Sequence, residues 1–205
     1  MEAQFWHDRW ASNEIGFHKS EANPLLVKYV DDLSLTAGSR VFLPLCGKTL
    51  DIDWLLSRGY RVTGIDSSQA MLDETRRQAA ETPIELHQGD VRELPVADAA
   101  FDSLISLNVM VHFPHWQPVL QEWKRVVRPG GRMLFDIHSL DHLEAALPAE
   151  QARQIAEAGL HDGAHGAFMS HMRVEDLTAW CSENGLRVLA VIPVEKNVDA
   201  PTGTD

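Results

Sequence analysis

Two aspartates and one short loop are the residues whose types and spacing could do chemistry. The loop lies in the segment RVFLPLCGKTLDIDWLL, residues 40–56, and contains a single glycine, Gly47. Asp66 ends the next apolar run, RVTGID, and Asp90 ends the following one, IELHQGD. If these runs are parallel strands, the loop and both carboxylates lie at one edge of the sheet, where the ligands of such sheets bind. The spacing therefore predicts one ligand site.

The loop has too few glycines for a pyrophosphate. The dinucleotide fingerprint G-x-G-x-x-G provides a tight turn and a close backbone approach to phosphate. The segment Gly47-Lys48-Thr49 matches only the end of the phosphate-binding G-x-x-x-x-G-K-[ST] motif. A nucleoside that carries a non-phosphate group fits better. Asp66 could accept both ribose hydroxyls and Asp90 an exocyclic amine, although either aspartate could instead cap a helix or form a turn.

Strand-like and helix-like segments alternate along the chain and must position these groups. The predicted strands are residues 40–45, 61–66, 84–90, 101–107, 132–138 and 186–194, and the predicted helices are residues 51–59, 67–81, 116–127, 141–158 and 173–185. Such alternation predicts an α/β fold with a doubly wound, mostly parallel sheet. We expect a single domain over residues 1–205, with an N-terminal segment over 1–30, a core over 38–195 and a tail over 198–205.

The composition favours a small-molecule ligand over nucleic acid or membrane. The 205 residues carry a formal net charge of -12 and no run of lysine and arginine, so the chain would repel a phosphate backbone and an anionic bilayer. No apolar run approaches the roughly 20 residues that span a bilayer. The N-terminus lacks the pattern of a signal peptide, and the cysteines, Cys46 and Cys181, do not make a disulfide framework. We expect a cytoplasmic protein, a monomer or a weak homodimer.

Short motifs near the N-terminus occur in the order typical of one enzyme family. FWHDRW, IGFHKSEANP and PLCGK, all within residues 4–66, resemble the thiopurine S-methyltransferase family, a branch of the S-adenosylmethionine-dependent class I methyltransferases. Residues 66–137, with GIDSSQAML, GDVRELP, AFDSLISL and VVRPGGRML, resemble the broader small-molecule methyltransferases that include the quinone-biosynthesis enzymes. The chain departs from the thiopurine family at Asp66, where that family usually has Glu, and at SLNVMVHFPHW, where it has an Arg-Gly-Ala segment.

The resemblance implies a Rossmann-like class I methyltransferase fold, three-layer α/β/α with an N-terminal helical lid, and S-adenosylmethionine as the cofactor. It also implies transfer of a methyl group to a sulfur, oxygen or nitrogen atom of a small-molecule acceptor. Phe17 and His18 would line the acceptor pocket. The cofactor-binding residues would be Trp6, Trp10, Leu45, Cys46, Gly47, Asp66, Ser67, Asp90, Val91 and Asn108.

The lid would present two tryptophans. Trp6 and Trp10 are four residues apart and therefore lie on one face of a predicted helix. By the resemblance this helix covers the cofactor, and a Trp ring near a sulfonium gains about 0.5–2 kcal/mol of cation–π energy. Plain packing of an amphipathic helix explains the same spacing.

Histidines are the candidate proton acceptors. His112 and His115 follow the predicted fourth strand, where methyl donor and acceptor should meet, and histidine titrates near neutrality. His112 is the candidate catalytic residue for a hydroxyl or amine acceptor, whereas a thiol acceptor would need no base.

No metal site is expected. His138 with His142 and His161 with His165 are each four residues apart, a spacing that could bind a metal on a helix. No cysteine or carboxylate spacing completes either pair, so we interpret these residues as surface histidines.

Two other functions stay open on the residues alone. An NAD-dependent oxidoreductase also uses a strand-end aspartate on ribose, but the missing G-x-G-x-x-G argues against it. A non-catalytic protein that binds an adenosyl ligand would keep the loop and the carboxylates and lack an acceptor pocket.

Overall fold

A five-stranded sheet forms the centre of the computed structural model, which describes residues 21–46, 49–79, 84–158, 160–161 and 168–194. Its strands are β1 (Arg40–Pro44), β2 (Arg61–Asp66), β3 (Glu85–Gln88), β4 (Phe101–Ser106) and β5 (Val127–Phe135). All neighbouring strands are parallel, and their order is β3-β2-β1-β4-β5. From β1 the chain adds β2 and β3 on one side of the sheet and then β4 and β5 on the other. This arrangement confirms the predicted doubly wound α/β fold.

Helices connect the strands and cover both faces of the sheet. They are α1 (Pro24–Tyr29), α2 (Asp51–Ser57), α3 (Gln69–Gln78), α4 (Gln117–Val126), α5 (Leu140–Ala146), α6 (Ala149–Ala158) and α7 (Val174–Glu183). The described elements also include 3₁₀ turns at Val30–Leu33 and Met110–His112 and the antiparallel pair β6 (Leu160–His161) and β7 (Phe168–Met169). The side chains of Asn23, Ser68 and Ser139 cap α1, α3 and α5 by accepting a backbone N–H of the first turn. Within the described ranges, no helix has the length and apolar character of a membrane span.

Successive residues of β1 point to opposite faces of the sheet and divide the core in two. Phe42 belongs to an apolar cluster under α4 and α7, in which Trp123 is fully buried. Val41 and Leu43 belong to a second cluster, under α1, α2 and α3. The sheet is therefore covered on both faces, as the three-layer arrangement requires.

The N-terminal segment predicted over residues 1–30 is described only from residue 21 onward. In that part, Leu26 and Val30 are 0% and 1% exposed and pack in the second cluster. The end of the predicted segment therefore contributes to the core. Residues 1–20 lie outside the described residues, and the lid stays a prediction.

Pro148 divides the helix predicted over residues 141–158. The first half, α5, ends at Ala146, and the second half, α6, begins at Ala149. Proline has no N–H for a helix and disfavours the helical conformation in the residue before it. Leu147 accordingly has extended dihedrals, with φ of -126° and ψ of 156°.

The fifth strand begins earlier than the predicted range of 132–138. Val127 pairs with Phe101, and a register shift follows before Arg132 pairs with Ser103. Gly130, with φ of 79°, lies in the shifted stretch, where the left-handed conformation suits a residue without a Cβ. The Pro-Gly-Gly sequence, which indicates a loop, is therefore an irregularity inside the strand.

Residues 186–194 do not form the sixth strand that their apolar run predicts. Among the described residues they have no strand partner, and β5 pairs only with β4. Five of the six large apolar side chains that are exposed in the described structure lie in this segment, and Leu189 is 58% exposed. A strand needs hydrogen-bonded neighbours to be stable, and an apolar run cannot indicate whether a neighbour is available.

Matched substitutions at two leucines test this difference in packing. Leu104 of β4 is fully buried, so Leu104→Ala should lower the free energy of unfolding by about 2–5 kcal/mol. Leu189→Ala removes the same atoms from an exposed side chain and should change that free energy by less than about 0.5 kcal/mol. Urea denaturation measures both. A loss above about 2 kcal/mol for Leu189→Ala would show that residues 186–194 are packed in solution.

Candidate functional site

The order of strands reverses between β1 and β4, and their carboxyl ends flank the resulting crevice. Most of the predicted cofactor residues lie at this edge, at or just after the ends of β1 to β4: Leu45, Cys46, Asp66, Ser67, Asp90, Val91 and Asn108. Of the other predicted site residues, His112 lies on the 3₁₀ turn after β4. Trp6, Trp10, Phe17, His18 and Gly47 lie outside the described residues. Parallel strands thus bring the described candidates to one side of the sheet, and their roles stay predictions.

The backbone is strained on both sides of this crevice. Leu45 after β1 and Asn108 after β4 have φ of 47° and 60°, in the left-handed region that costs a non-glycine residue about 1–3 kcal/mol. Two hydrogen bonds help to impose these conformations. The Asn108 N–H donates to Asp136 Oδ1 at 2.6 Å, and the Cys46 N–H donates to the Ile65 carbonyl at 2.9 Å. Strain of this kind is typical of ligand-binding loops.

Cys46 is a structural thiol. Its side chain is 6% exposed and packs against Gly64, where a Cβ atom would lie 2.7 Å from the Cys46 Sγ and 2.9 Å from Leu86 Cδ2. Burial, reinforced by the charge of Asp66, raises the pKa of Cys46 far above its usual range. Because only the thiolate is nucleophilic, the burial of Cys46 and its raised pKa argue against a role as a nucleophile. What it contributes is the close fit of the loop against β2.

Asp66 ends β2 as a largely buried carboxylate, 8% exposed. Its Oδ1 accepts the Ser68 N–H at 2.8 Å, and the Ser68 hydroxyl accepts the Met71 N–H as the N-cap of α3. The turn role considered for Asp66 is therefore present. A carboxylate has about four lone-pair sites, so this hydrogen bond is compatible with a second role toward ribose.

Asp90 has a partner at both carboxylate oxygens. Arg92 Nε lies 2.9 Å from Oδ1 and 3.1 Å from Oδ2, and the Arg92 N–H donates to Oδ1 at 2.8 Å. The hydrogen bonds from the Arg92 side chain lower the pKa of Asp90. An exocyclic amine would have to share or displace Arg92, so the contact with the base stays a prediction. Val91, the next residue, is buried in the cluster under α4.

Burial distinguishes the two candidate bases that follow β4. His112 is half-buried, and its backbone N–H donates to the Val109 carbonyl at 3.0 Å. His115 is exposed. A half-buried base is better shielded from water than an exposed one, so His112 is the better candidate of the two. Its catalytic role stays a prediction.

Asp136 is a site candidate that the sequence interpretation missed. It directly follows β5, and it fixes the strained Asn108 through the short hydrogen bond described above. The signal was present, since Asp136 interrupts the apolar run RMLFDIH as Asp66 ends RVTGID.

The segment after β7 joins two loops that are distant in sequence. The Ser170 N–H donates to the Val111 carbonyl at 2.6 Å, and the Met172 N–H donates to the His138 carbonyl at 2.9 Å. Between these contacts lies His171, whose ring centroid is 5.5 Å from that of His138. No local pattern could have related these histidines, because only the folded chain brings them together.

The described histidines do not gather into a metal centre. Among the residues that the structure describes, no group of three or more His, Cys, Asp and Glu side chains could hold a metal ion. His142, four residues after His138, is exposed, and His165 lies outside the described residues.

A family comparison covers the whole crevice. The model of the thiopurine S-methyltransferase (TPMT) family matches residues 1–137, from the N-terminus to the residue after Asp136. This chain belongs to the thiopurine S-methyltransferase family. The matched region contains the β1 loop, both strand-end aspartates and Asn108.

Curated relatives in this family match shorter stretches. The chain is 55% identical to the thiopurine S-methyltransferase of Pseudomonas putida (strain W619) over 74 residues, which are 36% of this chain and 34% of the relative. It is 40% identical to that of Shewanella loihica (strain ATCC BAA-1088 / PV-4) over 110 residues, 46% of this chain and 50% of the relative. The chain thus spans between a third and a half of the length of these relatives.

Solved structures confirm the fold. An S-adenosylmethionine-dependent methyltransferase from Methanosarcina mazei superposes with a TM-score of 0.62 at 18% identity, over 80% of this chain and 84% of that one. One from Mesorhizobium loti superposes with a TM-score of 0.63 at 17% identity, over 80% of this chain and 81% of that one. The protein therefore has the Rossmann-like fold of these methyltransferases.

The contact between Cys46 and Gly64 gives a prediction about the loop. Gly64→Ala places a Cβ atom 2.7 Å from the Cys46 Sγ and should lower the free energy of unfolding by about 1–3 kcal/mol. Cys46→Ala removes the sulfur atom, so the double variant should lose less than the sum of the two single variants. Chemical denaturation of the four proteins measures this coupling. Strictly additive losses would show that the two side chains do not compete for the same space.

Proposed function

We propose that this protein is a methyltransferase that uses S-adenosylmethionine and transfers its methyl group to a sulfur, oxygen or nitrogen atom of a small-molecule acceptor. The observation that carries the proposal is the position of Asp66. It is a buried carboxylate at a strand end, one strand away from the one-glycine loop, inside the region that matches the family. Ligands of doubly wound sheets bind at this edge, and the loop disfavours a pyrophosphate.

The residues at the crevice fit the parts of this cofactor. Asp66 would accept hydrogen bonds from the ribose hydroxyls, and the backbone of Leu45 and Cys46 would lie along the methionine part, which has no phosphate to bind. When bound, the cofactor supplies a methyl group on a positively charged sulfur. The side chains of Asp66 and Asp136 lie at the ends of β2 and β5, at the edge where we propose that the cationic cofactor binds. Ser67, Asp90, Val91 and Asn108 complete the proposed contacts.

Positioning accounts for most of the catalysis that we propose. Methyl transfer requires the acceptor atom, the methyl carbon and the sulfur in line, and orientation of bound partners can contribute about 7–11 kcal/mol. Leu45 and Asn108 lie beside the crevice in left-handed backbone conformations, and the hydrogen bonds of the Cys46 and Asn108 N–H groups help to hold these positions. For a hydroxyl or amine acceptor, His112 would take the proton.

The N-terminal residues extend the proposal. Trp6 and Trp10 would cover the cofactor, and Phe17 and His18 would face the acceptor. Such a cover would exclude water and keep the sulfonium from reacting unproductively.

The cellular setting is part of the proposal. The relatives are named for thiopurine S-methylation, and for this chain we propose a small-molecule acceptor. The net charge of -12 argues against nucleic acid and anionic membranes as partners. We propose a cytoplasmic location and a monomer or weak homodimer.

Ligand-induced stabilisation tests the choice of cofactor. S-adenosylmethionine and S-adenosylhomocysteine should each raise the melting temperature, because a ligand at 100 times its dissociation constant stabilises the folded state by about 2.7 kcal/mol. NAD and NADP should not. Thermal melts with the four ligands are the measurement. Stabilisation by NAD alone would contradict the proposal and favour an NAD-dependent oxidoreductase. Stabilisation by S-adenosylmethionine without methyl transfer to any acceptor would favour a non-catalytic binding protein.

Asp66→Asn tests the carboxylate. The amide oxygen can still accept the Ser68 N–H, so the turn and the folded state should persist. Loss of charged hydrogen bonds to the ribose, worth about 1.5–3 kcal/mol each, should weaken S-adenosylhomocysteine binding at least about tenfold. Titration calorimetry provides the affinity, and Asp53→Asn, at an exposed position on α2, is the control. Unchanged affinity in a folded Asp66→Asn protein would leave Asp66 with the turn role alone.

A further inference from the structure

The β4 loop, residues 108–113, combines an exposed first residue with a buried run. Asn108 is exposed beside the crevice, whereas Val109, Met110 and Val111 are 6%, 0% and 2% exposed. The chain must therefore turn sharply as it leaves β4 in order to enter the core. It does so at Asn108, with φ of 60°.

Asp136 holds the start of this loop from the neighbouring strand. Its Oδ1 accepts the Asn108 N–H at 2.6 Å, and its own N–H donates to the Ser106 carbonyl at 3.3 Å. The second hydrogen bond continues the pairing of β4 with β5, so the carboxylate extends from the sheet itself. Left-handed backbone is unfavourable for a residue with a Cβ atom. A hydrogen bond to this carboxylate therefore increases the population of the turned conformation.

Ser170 holds the other end of the β4 loop. The residue directly follows β7 and is 9% exposed. Its hydroxyl donates to the Val111 and Phe113 carbonyls at 3.0 and 3.3 Å, and its backbone N–H also donates to the Val111 carbonyl. Two segments that are distant in sequence, one after β5 and one after β7, thus hold the two ends of the loop.

The opposite side of the crevice is held by backbone groups. Leu45 is also left-handed, with φ of 47°, and the hydrogen bond next to it joins the Cys46 N–H to the Ile65 carbonyl. Asn108, in contrast, is held by a side chain. A single substitution can therefore release the β4 loop and leave the loop after β1 as it is.

We propose that Asp136 is a positioning residue for the cofactor, which keeps the β4 loop in its binding-competent conformation through the hydrogen bond that it accepts from Asn108. Ser170 supports the same conformation from the other end. The inference rests on the proposed methyltransferase function and adds a residue that acts through Asn108 and not through its own charge. If only a fraction of the molecules has the competent loop, the apparent dissociation constant rises by the inverse of that fraction.

Two substitutions separate the hydrogen bond from the charge. Asp136→Ala removes both and should weaken binding of S-adenosylhomocysteine to the full chain about 10-fold. Asp136→Asn keeps an oxygen that can accept the Asn108 N–H, so its affinity should stay within about threefold of that of the unsubstituted protein. Titration calorimetry measures both affinities.

The charge on the ligand gives a second comparison. S-adenosylmethionine has a positively charged sulfur, whereas the sulfur of S-adenosylhomocysteine is an uncharged thioether. Asp136→Ala should weaken binding of the two ligands equally, because a residue that acts through loop conformation does not sense this charge. A greater loss for S-adenosylmethionine, repeated in Asp136→Asn, would show direct electrostatic attraction and overturn the proposal.

A double-mutant cycle tests whether Asp136 acts through Asn108. Glycine adopts left-handed backbone readily, so a glycine at this position does not need the carboxylate. In the Asn108→Gly background, Asp136→Ala should therefore change the affinity for S-adenosylhomocysteine by less than about twofold. The same 10-fold loss in both backgrounds would contradict a role through Asn108.

Asp102 provides a matched control at the opposite edge of the sheet. Its Oδ2 accepts the Arg40 N–H at 2.7 Å, so it is also a carboxylate of one strand that binds the backbone of another. Asp102→Ala should lower the free energy of unfolding and leave the affinity for S-adenosylhomocysteine unchanged. Equal losses of affinity in Asp102→Ala and Asp136→Ala would assign the effect to general loss of stability.

Hydrogen exchange follows the loop directly. The amides of His112 and Phe113 donate to carbonyls within the β4 loop, at 3.0 and 3.1 Å. Both should exchange faster in ligand-free Asp136→Ala than in the unsubstituted protein, and saturating S-adenosylhomocysteine should remove the difference. Ser170→Ala should have the same effect and provides a second variant if Asp136→Ala does not fold.

The outcomes separate this inference from the proposed function. Unaltered exchange at His112 and Phe113 in the variants, or unaltered affinity in a folded Asp136→Ala protein, would overturn the positioning role and leave the proposed function intact. Absence of S-adenosylhomocysteine binding to the unsubstituted protein would overturn the proposed function itself.

Discussion

The reversal of strand order between β1 and β4 determines where this protein can bind a ligand. Because β1 is followed by β2 on one side and β4 by β5 on the other, the connecting loops leave toward opposite faces and open a crevice. The strained Leu45 and Asn108 stand on its two sides, and the buried Asp66 ends the neighbouring strand. Each assignment in the site depends on this reversal, since another strand order would separate these residues.

The sequence predicted those parts of the site that local chemistry determines. Asp66 ends a buried strand because an aspartate there can accept the N–H of Ser68 and start α3, so strand end, turn and helix cap agree in one short stretch. Gly64 was not predicted, because the close approach of Cys46 and Leu86 that fixes it involves segments distant in sequence. A position such as Asp66 can be predicted from the sequence because its hydrogen-bond partner is a near neighbour along the chain.

Long-range partners could not be predicted in this way. The sequence does not show whether a strand-like run will find a neighbour, and residues 186–194 have none among the described residues. Nor could it show that His171 would lie beside His138. In each case the outcome depends on where distant segments pack, and side-chain rotamers then decide the contact.

The central claim is that the cofactor binds at the carboxyl ends of β1, β2 and β4. Backbone hydrogen exchange of the full chain, with and without S-adenosylhomocysteine, tests it most directly. The account predicts slower exchange at the amides of Leu45, Cys46, Ser67 and Asn108 when the ligand is present, and no change at the amides of Arg128, Gly130 and Arg132, at the opposite edge of the sheet. Protection confined to that opposite edge, or no protection at a ligand concentration that stabilises the protein, would contradict it.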